Sequence, residues 1–369
     1  MKDFLSSRTG MVTAGGIIGA VAAYLVYLGN PPNMGICVAC FTRDTAGAIG
    51  LHRAGAVQYI RPELIGFVFG SLVSALAFRE FRPRGGSAPL IRFVLGFFAM
   101  VGALVFLGCP WRALARLAGG DMNAVVGIAG LAAGIAAGVW FLKTGYSLGR
   151  AAPSRPTAGL VMPVFMLFLF VLVVFEVKFM PDGPVFFSSA GPGSMHAPLF
   201  LSLGAGLLVG VLAQRTRFCT MGALRDVILI KDFHLLSGVL AFVVAAFAVN
   251  LVIGKVNVGF AQQPIAHSNH LWNFLGMCLS GLCFALAGGC PGRQFFMSGE
   301  GDADATVFTF GMLMGAAFAH NLNFAAAPDK FDSAKLLVIG GPSVWGQSAV
   351  LIGLIITLAI GFSMRERIR

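Results

Sequence analysis

Long apolar stretches alternate with short polar or basic connections along this chain. About 20 mainly apolar residues, rising ~1.5 Å each as a helix, cross the ~30 Å hydrocarbon layer of a bilayer. The pattern predicts ten spanning helices, at approximately 11–29, 62–78, 93–108, 122–142, 159–179, 197–213, 234–254, 271–288, 303–322 and 345–363. The apolar runs are continuous rather than alternating, which speaks against a β-barrel.

The connections differ in charge. Arg79, Arg82, Arg84 and Arg92 follow the second span; Lys143, Arg150 and Arg155 follow the fourth; Arg365, Arg367 and Arg369 follow the last. The connection from Met180 to His196 has no Lys or Arg, and that after the seventh span has only Lys255. The positive-inside rule then puts the basic connections and both termini in the cytoplasm, as in a multi-pass protein of the bacterial inner membrane. Residues 30–61 break the pattern: they should lie outside, yet hold Arg43, Arg53 and Arg61. A segment that dips back into the membrane would account for them. Lys2, Arg8 and the run from Thr9 to Leu28 resemble a signal peptide, but the run is long enough to span, so a retained helix is expected.

Composition narrows the class further. Residues are 57% hydrophobic and 11% charged, with a mean hydropathy of +0.84, whereas soluble domains carry about 25% charged residues. The net charge of +11 sits mainly in short loops beside apolar spans, so it signals orientation and not nucleic-acid binding. The 49 glycines point to closely packed helices. The seven cysteines lie mostly in or beside apolar segments, which excludes a secreted disulfide framework.

Four of those cysteines belong to motifs that occur twice. Cys37 is followed by Arg43-Asp44, and Cys219, 182 residues later, by Arg225-Asp226 at the same distance. Gly108-Cys109-Pro110-Trp111-Arg112 precedes Asp121, and Gly289-Cys290-Pro291-Gly292-Arg293, offset by 181, precedes Asp302. Gly130 and Gly134 of the fourth span have counterparts in Gly311 and Gly315 of the ninth at that same offset. Spans 1–4 therefore repeat as spans 6–9, and the odd fifth span turns the second copy over. The result is an inverted-topology repeat, a plan common among transporters. The chain divides into a first half at 1–150, a connector at 151–196, an inverted second half at 197–322, and a loop and final span at 323–369.

The motifs place chemistry where a membrane protein rarely has it. Pro at the first helical position, with an extended residue before it, predicts that Cys109 and Cys290 cap short helices starting at Pro110 and Pro291. Cys37 and Cys219 precede the short helices expected at Val38–Gly50 and Thr220–Ile230. Helix N-termini attract anions, and a thiol meets soft sulfur or selenium without holding it tightly. Four re-entrant short helices would make an hourglass with cysteines along its throat. Arg43, Arg225, Asp44 and Asp226 are either anion ligands or ion pairs pinning the short helices, the second being expected for the aspartates. Arg112 and Arg293 either line the mouths or reach to the interface. Asp121 and Asp302 are expected to cap spans 4 and 9. Cys278 and Cys283 read as packing residues. Cys40 forms a Cys-x-x-Cys with Cys37 that would allow redox chemistry, but its counterpart is Gly222. The histidines do not recur in pairs, so no metal or other cofactor is implied.

At these residues the sequence resembles the YeeE/YedE family of bacterial membrane transporters of sulfur compounds, over nearly the whole chain. The resemblance implies an hourglass-shaped permease that hands thiosulfate along Cys37, Cys109, Cys219 and Cys290 by S–H···S contacts. Gly35-Ile36-Cys37-Val38-Ala39-Cys40-Phe41 and Arg217-Phe218-Cys219-Thr220-Met221-Gly222 are most similar to the YedE branch, associated with selenium.

The expected protein is an all-α permease, not an enzyme, importing a selenium compound or a thiosulfate-like anion. Its partners would be that solute, the bilayer and, on the cytoplasmic side, a sulfur- or selenium-carrier protein. A membrane sulfurtransferase or thiol redox enzyme and a passive anion channel are the alternatives.

Overall fold

The computed structural model describes residues 2–177, 179, 180, 183–331 and 337–365. Arg367 and Arg369 of the basic C-terminus, and Pro181 and Asp182 of the connector loop, lie outside the described residues. Sixteen α-helices follow in order: α1 Lys2–Leu5, α2 Arg8–Tyr27, α3 Val38–Ala48, α4 Pro62–Ala77, α5 Pro89–Phe106, α6 Pro110–Ala118, α7 Asn123–Lys143, α8 Pro156–Gly159, α9 Val161–Val174, α10 Leu199–Thr216, α11 Thr220–Ile230, α12 His234–Val252, α13 His270–Ala287, α14 Pro291–Gly299, α15 Ala303–Asn321 and α16 Val344–Ser363. Each predicted apolar stretch is helical, and the expected short helices are α3, α6, α11 and α14. The fifth stretch is shorter than predicted: α9 stops at Val174, and Glu176 follows with a φ of 46°, a left-handed turn that ends the helix.

Among the described residues, seven helical segments are long and apolar enough to cross a membrane, and α4 and α9 are apolar but shorter. The exposed flanks of α9, α12 and α16 carry large apolar side chains such as Val164, Val244 and Ile355. This is a multi-pass membrane protein.

Helices pack across the halves. The most extensive contacts are α2 with α12, α10 with α4, α5 with α15, and α13 with α7. Glycine makes these approaches possible, since a side chain would strike the neighbouring backbone. Gly15 lies on Gly238 and Gly19 on Phe242, so α2 and α12 run side by side in the same direction. Gly66 and Gly70 meet Leu207 in the same way, aligning α4 with α10. Gly130 faces the Phe274 carbonyl and Gly134 that of Cys278, while Gly311 faces that of Phe93 and Gly315 that of Phe97. Phe274 and Cys278 stand 181 residues after Phe93 and Phe97, the offset that separates the glycines themselves.

The connections gather at two ends. At one, the Arg82 N–H bonds the Glu300 carbonyl, Arg84 pairs with Asp302 at 2.8 Å, Ser87 bonds Leu148, and the Ser147 N–H bonds the Met364 carbonyl. At the other, the Met122 N–H bonds the Gly259 carbonyl, Asn321 bonds the Leu51 carbonyl, and Ser268 bonds Asp329. Among the described residues, the first end holds most of the basic loop residues, and the second has Arg53, Lys255 and Lys330. Arg43 and Arg61, which broke the charge pattern, are buried within the bundle and do not act as loop charges.

Candidate functional site

Cys37, Cys109, Cys219 and Cys290 are the N-cap residues of α3, α6, α11 and α14, all with extended backbones. Proline explains two of them, because it opens α6 and α14 and excludes the preceding residue from helical geometry. At the other two, sulfur does what a serine hydroxyl does at a helix start. The Cys40 N–H donates to Cys37 Sγ and the Gly222 N–H to Cys219 Sγ, both at 3.3 Å. Cys109 and Cys290 make no such cap.

The thiols form one cluster in each half. Cys37 Sγ lies 3.9 Å from Cys109 Sγ and 2.8 Å from Cys40 Sγ. In the second half the Cys290 N–H donates to Cys219 Sγ at 3.4 Å. All five side chains are at most 5% exposed. Cys278 and Cys283 stand apart on α13, Cys283 against Thr357 at 3.5 Å.

Charged neighbours are arranged differently in the two halves. Asp44 sits between Arg43 and Arg61, each 2.7 Å away, and all three are buried. Arg225 and Asp226 pair at 2.8 Å but remain 32% and 16% exposed. Arg112 neither lines a mouth nor reaches the interface: it is 1% exposed, donating to the Leu107 carbonyl, to Ile265 O at 3.0 Å and to Cys40 Sγ at 3.5 Å. Its proximity to two carbonyls holds it inside. Arg293 pairs with Glu300 at 3.0 Å. Asp302 caps α15 through the Ala305 N–H; Asp121 pairs with Arg116 at 2.6 Å through one oxygen and with the other accepts from the N–H of Asn123, the first residue of α7, at 2.9 Å.

Several participants escaped the sequence reading. Arg61, Arg116 and Glu300 have no recurring counterpart at the repeat offset, and only the fold brings them to Asp44, Asp121 and Arg293. Trp111 does carry a signal, since it is the variable position of a motif whose second copy has Gly292. Its ring packs between Phe67, Phe218, Phe242 and Phe296 at centroid distances of 5.5–6.4 Å. Two residues after Cys109, it leans on Gly292, two residues after Cys290. The aromatic cluster therefore packs against both Gly-Cys-Pro helices, α6 through Trp111 and α14 through Gly292 and Phe296.

Known proteins are similar in sequence to parts of this chain. Residues 215–369, which include Cys219 and Cys290, match the model of the sulphur transport family. The thiosulfate transporter TsuA of Spirochaeta thermophila is 35% identical over 103 residues, 28% of this chain and 31% of that protein. The thiosulfate transporter TsuA of Escherichia coli is 29% identical over 170 residues, 44% of this chain and 47% of that protein. The chain is thus similar to the YeeE/YedE family of sulfur transporters over part of its length. It spans less than half the length of either TsuA in these matches.

Proposed function

We propose that this protein is a member of that family, and that it is an inner-membrane permease that imports a small anion with a soft terminal sulfur or selenium atom. Thiosulfate is the type, on the strength of the TsuA relatives. The observation that carries the reading is the placement of four buried cysteines, Cys37, Cys109, Cys219 and Cys290, at the N-caps of four short helices, in two clusters. Free backbone N–H groups stabilise the anionic end, and thiols make weak, successive contacts with the soft end. Both are requirements of a solute that must enter and leave.

The architecture we infer is ten spans and an inverted repeat. It is supported by the reciprocal packing of α2 on α12 with α10 on α4, and of α5 on α15 with α13 on α7. α2 and α10 begin at opposite ends of the bundle, as inversion requires. In this reading the aromatic cluster closes the throat between the thiols.

An enzyme reading has less support. A catalytic thiol needs a base beside it, and among the described residues no His or carboxylate is hydrogen-bonded to a cysteine. Its support is the Cys37/Cys40 pair, in which Cys40 has no thiol counterpart in the second half.

Uptake of radiolabelled thiosulfate and selenite into proteoliposomes holding only this protein tests the proposal. Saturable uptake of either, competed by unlabelled thiosulfate, is expected. Neither anion crossing would overturn it.

A further inference from the structure

We infer that Trp111 is the hydrogen-bond donor for the oxygen end of the permeant anion, and so selects an oxyanion over a bare chalcogenide such as hydrosulfide. This deepens the transport reading and rests on it.

The ring is 1% exposed, and its Nε1–H has no partner. Burying a donor without an acceptor is destabilising. Packing alone gives no reason to bear that cost: Phe67, Phe218, Phe242 and Phe296 around it are all hydrocarbon, and a fifth phenylalanine would bury apolar surface with no orphaned group. The position of the ring shows where an acceptor would come from. A side chain at Gly292 would meet Trp111 Cζ2 at 3.1 Å and Cε2 at 3.2 Å, and Cε2 is bonded to Nε1. The polar edge of the indole therefore borders the first turn of α14, whose Cys290 cap makes no side-chain bond to the helix. Glycine at 292, where the first half has Trp111 itself, leaves room for only one indole at the crossing. Thr220 Oγ1, next to Cys219 and 3% exposed, is another buried donor without a partner. An anion passing from one thiol group to the other would meet these donors between them.

Sulfur is a weak acceptor, and oxygen carrying negative charge is a strong one. A thiosulfate can give its terminal sulfur to a thiol and an oxygen to the indole. Hydrosulfide has no oxygen to give.

Two measurements test this. In proteoliposomes, Trp111→Phe keeps the ring and removes the donor; the KM for thiosulfate is expected to rise about tenfold, the loss of one charge-assisted hydrogen bond. Thr220→Val should raise it in the same direction. In the second measurement, Trp140, Trp272 and Trp345 are replaced by Phe, leaving Trp111 as the single fluorophore. Sodium thiosulfate should then change its emission saturably, and sodium hydrosulfide at equal concentration should not. An unchanged KM in a folded Trp111→Phe protein, or emission indifferent to thiosulfate, would overturn the inference. If the wild type transports neither anion, the transport reading falls, and the fluorescence titration still decides whether Trp111 meets the anion. The same titration decides if Trp111→Phe fails to fold.

Discussion

Cys37 and Cys219 turn their sulfurs back onto their own helices, whereas Cys109 and Cys290 leave theirs uncapped. The second pair, each followed by a helix-opening proline, is the pair expected to meet a solute. Cys109→Ala or Cys290→Ala should cut uptake in proteoliposomes at least about tenfold, equivalent to about 1.4 kcal/mol, with normal amounts of folded protein. Cys278→Ala and Cys283→Ala should transport near the wild-type rate. Equal effects at all four sites would remove the case for a thiol path. The ion pairs predict a different phenotype. Removing one partner of a buried pair costs about 3–5 kcal/mol because a charge is left uncompensated. Asp44→Asn strands both Arg43 and Arg61, so its thermal midpoint in detergent should drop sharply. Asp226→Asn exposes its arginine to solvent and should lose much less. A milder effect at Asp44 than at Asp226 would mean that burial does not set the cost. The thiols were legible in the sequence because repetition marks them twice. Arg61 and Arg116 were not, because their partners are chosen by tertiary packing, which leaves no spacing to read.

The short helices depend on how each begins. Cys290 is extended because Pro291 follows it, which places the cysteine at the N-terminal end of α14, beside that helix's first free N–H groups. Pro291→Ala lets Cys290 join the helix and moves its N-terminus by about one residue, ~1.5 Å along the axis. Impaired uptake at near-normal membrane abundance is expected, and the same for Pro110→Ala. Low abundance with unchanged activity per folded molecule would instead assign the prolines to chain reversal alone. Elements were the most readable level of this protein. Continuous apolar runs betray helices, and Gly-Cys-Pro betrays where the short ones start. The end of α9 was misplaced because its apolar run continues past Val174, while the turn at Glu176 is a backbone conformation that hydropathy does not encode.

At the scale of the molecule, sidedness follows from which loops meet. Arg84, Ser147 and Met364 belong to one network of connections; Leu51, Asp121, Gly259 and Asn321 belong to the other. The sequence shows the charge difference between them but not the contacts, and it made residues 30–61 look anomalous. The structure removes the anomaly by burying Arg43 and Arg61 against Asp44. What remains is a basic end and a nearly neutral one, so the basic end should face the cytoplasm. Single cysteines in place of Arg150, in the basic network, and of Val258, 74% exposed in the other, would report this. The native cysteines near the site are buried and should react slowly with a bulky, membrane-impermeant maleimide. In intact cells the reagent should label Val258→Cys and spare Arg150→Cys, and permeabilisation should expose both. The opposite labelling would turn the whole molecule over. α2 and α12 would then start outside, and the second thiol cluster would face the incoming solute. Labelling of both sites in intact cells would separate them from the two-ended arrangement altogether, and with it the inverted repeat that relates α2 to α10.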